Sequence, residues 1–175
     1  MVYQVSKSDI KIITDIGCSI LEEFPPMPNC CAPMSALWVE RVRNTASIPA
    51  HLVGGSLSLH GRRIFGNDFE MTDNNNPFEI PRLDWDGHVW VVFGGVIGEI
   101  SLFRTAYASS SPSWLRKRVF DSFGRNRGIL LGEHHFLQNL GLDYQSKYVA
   151  TDHQIAGLVN GSAQIIKFGK IPCDG

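Results

Sequence analysis

The chain of 175 residues lacks several features, and each absence excludes a class of protein. It carries no excess of charge: 16 Lys and Arg stand against 17 Asp and Glu, a formal net charge of -1. The basic footprint with which duplex-DNA binders neutralise phosphates is missing, so nucleic acid is not an expected partner. Long hydrophobic runs are absent too. The longest unbroken apolar or glycine stretch, 89–98, is too short and too glycine-rich to span a bilayer, and no membrane partner is expected. The opening MVYQVSKSDI has neither the charged start nor the apolar stretch of a secretory signal, which makes a cytoplasmic location the expectation. Cysteine is scarce: the four residues Cys18, Cys30, Cys31 and Cys173 form no C-x-x-C pair. Cys30 and Cys31 are neighbours, too close along the chain for an ordinary bridge. Reduced thiols are therefore expected, with at least one available for chemistry. There is no internal repeat and no low-complexity tract, and the length fits one domain over 1–175.

The apolar spacing that is present predicts an α+β fold. Ile10, Ile13, Ile20, Leu21 and Phe24 fall on one helical stripe over 8–24, with Ser6 or Ser8 as cap and Asp9 in the first turn. Pro25-Pro26-Met27-Pro28 ends that helix in extended chain. A second helix is predicted from Cys31 to about Asn44, with Pro33 tolerated in its first turn. Strands are predicted at 48–55, 56–60 and 63–65, the last two as a hairpin through Gly61, and a polar loop over 71–84. Gly94-Gly95 between two β-branched and aromatic runs, 88–93 and 96–102, is a hairpin signal. A helix at 113–123, a glycine-broken region to 141, a strand at 144–150 and a final helix capped by Thr151 and Gln154 complete the chain.

Two places could carry chemistry. Cys31 follows an extended, proline-rich segment and opens a helix, where unpaired N–H groups and the helix dipole favour a thiolate and could also hold an oxyanion. The alternative is a small apolar residue packing the helix start, and Cys30 is its competitor for the reactive role. The second place is the hairpin. With Gly94-Gly95 as the turn, Phe93 faces Val96, Trp90 faces Glu99 and His88 faces Ser101. His88, Trp90, Glu99 and Ser101 then share one face, and His88 and Glu99 are diagonal neighbours, Cβ atoms about 7–8 Å apart. A carboxylate on one imidazole nitrogen fixes the tautomer and frees the other as a base. Val89, Val91, Phe93, Val96 and Ile100 on the other face should meet the core, which leaves a solvated His–Glu pair as the alternative. Asp86, in Asp84-Trp85-Asp86, is the alternative orienting acid.

Together these pieces resemble the transglutaminase-like branch of the papain-like cysteine peptidase superfamily. In that group a nucleophilic Cys opens a helix, a Gly-Ile-Pro-Ala-Arg-like stretch leads into the first strand, and a His-x-Trp strand and an acid-bearing strand follow. The matching residues are Cys31, Ile48-Pro49-Ala50-His51-Leu52-Val53-Gly54-Gly55, His88-Val89-Trp90-Val91 and Glu99, with Ser35 as the small residue one turn beyond the cysteine. The resemblance covers about 29–103. Three departures stand out: Glu99 holds a position that is normally Asp, no aromatic residue follows Cys31, and no acidic calcium loop is evident.

The resemblance implies a papain-like core in which a catalytic helix packs on an antiparallel sheet. It also implies a cysteine hydrolase or acyl transferase acting on a protein, peptide or other amide through Cys31, His88 and Glu99. Asn29 would assist the oxyanion, Trp90 and Asp86 would line the cleft, and no metal or cofactor is implied. The same scaffold could instead serve as an inactive protein-binding module.

Other clusters give weaker signals. Glu133-His134-His135 offers metal-ligand types without an H-E-x-x-H pattern. Arg116-Lys117-Arg118 with Arg125 and Arg127 reads as a solvated helix face or a contact for an acidic partner.

Overall fold

A computed structural model describes residues 3–27, 30–66 and 87–169. The first helix, α1 (Lys7–Glu23), starts at Ser6, whose side chain accepts from the Asp9 N–H while Asp9 accepts from the Ser6 N–H. This reciprocal cap satisfies two donors that a helix start otherwise leaves unpaired. Helix α2 (Cys31–Ala46) is buried on almost every side, at Met34, Ser35, Ala36, Leu37, Trp38, Val39 and Val42. It is the central helix: α1 and the last helix, α6 (Asp152–Phe168), flank it, and it lies on the sheet.

Trp38 fixes its seat. The indole donates to the Ile13 carbonyl at 2.9 Å. A Cβ built at Gly17 would lie 2.9 Å from this ring, and one at Gly98 would lie 3.0 Å from it. Two glycines therefore let the ring wedge between α1 and the sheet. Cys31 sits two turns earlier on the same stripe of α2, so the wedge also sets where the thiol lies.

The sheet is antiparallel and has six strands: β1 (Ala50–Leu59), β2 (Arg62–Phe65), β3 (His88–Phe93), β4 (Val96–Glu99), β5 (Leu130–Glu133) and β6 (Leu142–Val149). Strand β1 is its axis. Its residues 53–59 pair with β6 along one edge. Along the other edge 50–55 pair with β3, and 57–59 pair with β2. Strands β2 and β3 therefore abut end to end, with Phe65 opposite Leu57, His88 opposite Gly55, and Ser56 at the seam. The predicted break at 55–56 does not occur: one strand continues to Leu59 because each half has its own partner.

The β3–β4 hairpin has the predicted register, Phe93 facing Val96 and Val91 facing Gly98. Both turn glycines take positive φ, 52° at Gly94 and 98° at Gly95, as a tight hairpin turn requires. Strand β4 ends earlier than predicted. Glu99 closes it, and 102–107 form helix α3 (Leu102–Tyr107) because the Glu99 carboxylate takes the N–H groups of Ser101 and Leu102. Helix α4 (Ser113–Phe123) is as predicted, whereas the region read as merely glycine-broken contains β5 and helix α5 (His134–Asn139). Helices thus follow the strands as well as precede them. The final helix has the predicted Thr151–Gln154 reciprocal cap.

Both faces of the sheet are covered. Val89, Val91, Phe93 and Ile100 join α1, α2 and α6 in one core. Val53, Leu57, Trp90, Ile97 and Tyr144 join Phe103, Leu115, Val119 and Leu137 in the other. The alternative of a solvated His–Glu pair does not hold: α3, α4 and α5 cover the side that carries His88, Trp90 and Glu99. Among the described residues no helix is long and apolar enough to cross a membrane.

Gly55 is the tightest point of the sheet. A Cβ there would lie 2.0 Å from the Gln145 carbonyl oxygen and 2.9 Å from the Trp90 ring. The backbone oxygen belongs to β6 and has no rotamer through which to move away. Gly55→Ala is expected to cost about 3 kcal/mol or more, the upper end for overpacking. Urea unfolding measures it, and a loss under about 1 kcal/mol would contradict this close approach.

Candidate active site

Glu99 ends β4 with its side chain fully buried, at 0% exposure. A bare carboxylate there would be strongly disfavoured, because burial removes its water. Five protein donors replace that water. Oε1 accepts from the N–H groups of Ser101 at 2.9 Å and Leu102 at 3.0 Å, and more weakly from the Ser101 hydroxyl at 3.4 Å. Oε2 accepts from His88 Nε2 at 2.5 Å and from the Tyr144 hydroxyl at 3.2 Å. The register read from the sequence thus delivers a direct bond between His88 and Glu99.

His88 opens β3 and is 2% exposed. Phe65, from the end of the abutting β2, stacks on the imidazole with centroids 4.6 Å apart and planes 12° apart. Trp90 lies behind it at 6.2 Å and meets Tyr144 edge-on at 5.0 Å. Glu99 takes Nε2, which leaves Nδ1 as the nitrogen through which the imidazole can interact with the Cys31 side chain. Cys31, the first residue of α2, is half-buried. Cys31, His88 and Glu99 therefore form a continuous chain of interactions, from a half-buried cysteine to a fully buried carboxylate.

The electrostatics follow from this arrangement. Burial by itself would push the His88 imidazolium down. The Glu99 charge and the hydrogen bonds to Cys31 and Glu99 outweigh it and raise His88 well above the ordinary histidine range. Burial would likewise raise Glu99, but the His88 charge and hydrogen bond, with the Ser101 and Leu102 N–H groups, hold it below the usual carboxylate range. Tyr144 is raised by burial first, then by the Glu99 charge.

Cys30 is separated from its neighbour by environment. It is 1% exposed, and its thiol is pushed up to about 11, chiefly by burial and next by Cys31, with Arg104 opposing. It stays protonated at neutral pH. As the N-cap of α2 it makes no side-chain hydrogen bond to the first turn, unlike Ser6 and Thr151 at α1 and α6. The segment leading into α2 is held from α3. Arg104 donates to the carbonyls of Leu21 at 2.5 Å, Pro25 at 3.2 Å and Phe24 at 3.3 Å.

Other expectations fare differently. Trp90 does not line a cleft; it is 1% exposed and backs the imidazole from within the core. Asn29, Asp86 and the loop 71–84 lie outside the described residues. Ser35 is buried, and its hydroxyl has no partner among the described residues. His135 lies 3.4 Å from Glu133 with both side chains exposed, and among the described residues they join no group of three metal-ligating side chains. The basic strip is largely engaged internally. Arg116 and Arg118 donate to the carbonyls of Ala108 and Leu59, each at 2.9 Å, Arg127 to that of Phe123 at 2.8 Å, and Lys117 pairs with Asp121 at 2.7 Å.

Sequence reasoning missed Tyr144 and Phe65. Neither belongs to a motif, and both reach the site through pairings with β1. A comparison with family models, curated proteins and solved structures finds no match to this chain.

The pair makes stability depend on pH with a definite sign. A raised His88 contributes stability in full below its ordinary value of about 6.5 and loses it as pH rises through the raised value. A lowered Glu99 contributes above about 4.3 and loses it as pH falls through the lowered value. The contribution is therefore greatest between those two ordinary values. Glu99→Gln removes the charge and leaves buried donors facing a neutral amide, with an expected loss of about 3–5 kcal/mol near pH 6. That loss should shrink steadily as the pH is raised. Urea unfolding at several pH values tests this, and a loss independent of pH would contradict the ion pair.

Proposed function

We propose that the protein is a cysteine hydrolase or acyl transferase of the transglutaminase-like, papain-like kind, acting on an amide bond through a thioester. The observation that carries this reading is the Cys31–His88–Glu99 chain, in which the only half-exposed member is the nucleophile type. The antiparallel sheet, with the cysteine at the start of a central helix and the histidine at the start of a strand, supports it.

In this mechanism the Cys31 proton passes to His88 Nδ1 before the sulfur attacks the carbonyl carbon, and the raised His88 holds it there as an imidazolium paired with Glu99. The tetrahedral oxyanion is held by N–H groups at the start of α2, where Cys30 supplies no side-chain cap. Collapse breaks the carbon–nitrogen bond, and the imidazolium gives its proton to the departing amine. Water, activated by the same imidazole, then opens the thioester to a carboxylic acid and restores the thiol. An amine in place of water would give transamidation. Glu99 keeps its proton-free form throughout; it orients the ring and stabilises the imidazolium between the two transfers. The chemistry calls on no metal or cofactor.

Alkylation of Cys31 by iodoacetamide, read by peptide mass in a Cys30→Ser background, tests the pair at its root. The wild-type thiol is expected to react at pH 7, and His88→Ala to slow it at least tenfold. Cys18, which is exposed, supplies an internal comparison in the same sample. A Cys31 that reacts no faster than Cys18, or is indifferent to His88, would sink the catalytic reading in favour of a scaffold that only binds.

A further inference from the structure

Glu99 Oε2 carries two donors of different kinds: His88 Nε2 at 2.5 Å from β3 and the Tyr144 hydroxyl at 3.2 Å from β6. Donors on one oxygen compete. When His88 is protonated, its charge takes most of what that oxygen offers, and the bond from Tyr144 is weak. When His88 is neutral, the carboxylate charge is less compensated, and the bond from Tyr144 strengthens. The tyrosine therefore stabilises the deprotonated imidazole more than the protonated one.

We propose that Tyr144 is a positioning residue of the Cys31–His88–Glu99 site, whose hydroxyl tempers the hold of Glu99 on His88 so that the imidazole can release the proton it has accepted. The proposal rests on the catalytic reading above and deepens it. Its chemical need is plain. A buried carboxylate with no competing donor would trap the proton on the ring, and a base that cannot release its proton cannot act as the acid for the leaving amine.

The placement is built rather than incidental. Tyr144 pairs with Leu57 across β1, on the face shared by Trp90 and Glu99. It is 4% exposed, and its ring is braced edge-on against Trp90, which itself occupies the space above Gly55. Only a residue without a side chain at 55 lets Trp90 lie there. The ring brace and the backbone of β6 fix the hydroxyl, so its bond is not the accident of a loose side chain. Among the described residues, the titratable groups that meet the imidazole or its carboxylate are Cys31 from α2, Glu99 from β4 and Tyr144 from β6. Strands β2 and β3 contribute Phe65 and Trp90, which do not titrate.

The same C-terminal unit also reaches the nucleophile's helix. Ser162 of α6 shares its hydroxyl between the Pro33 carbonyl at 2.8 Å and its own Leu158 carbonyl at 2.9 Å. At the far end Arg43 of α2 pairs with Asp152 of α6 at 2.8 Å. Strand β6 and α6 thus brace the acid and the thiol from outside the stretch that carries the sequence resemblance.

Tyr144→Phe keeps the ring against Trp90 and removes only the hydroxyl. The test follows the His88 ring protons by NMR through a pH titration of wild type and Tyr144→Phe, with Cys31 alkylation in wild type and His88→Ala alongside. The variant is expected to raise the His88 midpoint by at least half a pH unit. A loss of packing alone would lower stability and leave that midpoint in place, so an unchanged or lowered midpoint overturns the proposal. The alkylation arm separates the two ideas. Alkylation that depends on His88 with no midpoint shift overturns the role of Tyr144 and leaves the catalytic reading intact. Alkylation indifferent to His88 overturns the catalytic reading, and with it a catalytic role for Tyr144, whatever the midpoint does.

Discussion

The buried carboxylate of Glu99 is the constraint on which the rest of the structure depends. An isolated charge at that depth would cost more than a domain of this size can offset, and it persists only because its donors come from several directions. His88 brings β3, Ser101 and Leu102 bring the start of α3, and Tyr144 brings β6. Satisfying one side chain therefore fixes the end of β4, the turn into α3, the depth of the imidazole and the placement of a strand on the far edge of β1. A shift in any of them leaves a charge or a donor unpaired. The acid is thus the point where stability and chemistry make the same geometric demand.

Much of this was legible in the sequence where the interactions are local. The Gly94-Gly95 turn fixes its register over a few residues, and that register alone places His88 and Glu99 on one face. The caps are four-residue patterns, read as Ser6 or Ser8 for α1 and as Thr151 with Gln154 for α6, and the start of α2 at Cys31 follows from the prolines before it. What was illegible is non-local. Alternation along 88–93 says which residues share a face; it cannot say that α3, α4 and α5 will cover the second one. Tyr144 is 45 residues from Glu99, and only the pairing of β6 with β1 brings them together. Strand β5 escaped notice because Ile129-Leu130-Leu131 is a short apolar run between Gly128 and Gly132, and its stability comes from β4 rather than from propensity.

The arginines illustrate a related limit. A run such as Arg116-Lys117-Arg118 suggests an outward-facing charge, yet Arg116 and Arg118 point their guanidinium groups at carbonyls that end other elements. Arg104 does the same for three carbonyls at the end of α1 and the approach to α2, binding α3 to the chain just ahead of Cys31. In a sheet covered on both faces by short helices, many helix ends lie partly inside, and a long cation with several donors is well suited to satisfy them.

The end-to-end seating of β2 and β3 on one edge of β1 has an evolutionary consequence. Phe65 and His88 face positions two residues apart on β1, roughly 7 Å, so the chain that leaves after β2 re-enters almost where it departed. Closing a longer connection between such near neighbours costs only about 0.6 kcal/mol per doubling of its length. The stretch between them can lengthen, shorten or change composition while the histidine keeps its register on β1. The scaffold therefore holds the histidine by its pairing with β1, and the carboxylate behind it by bonds from β3, α3 and β6, none of which depends on the length of that connection.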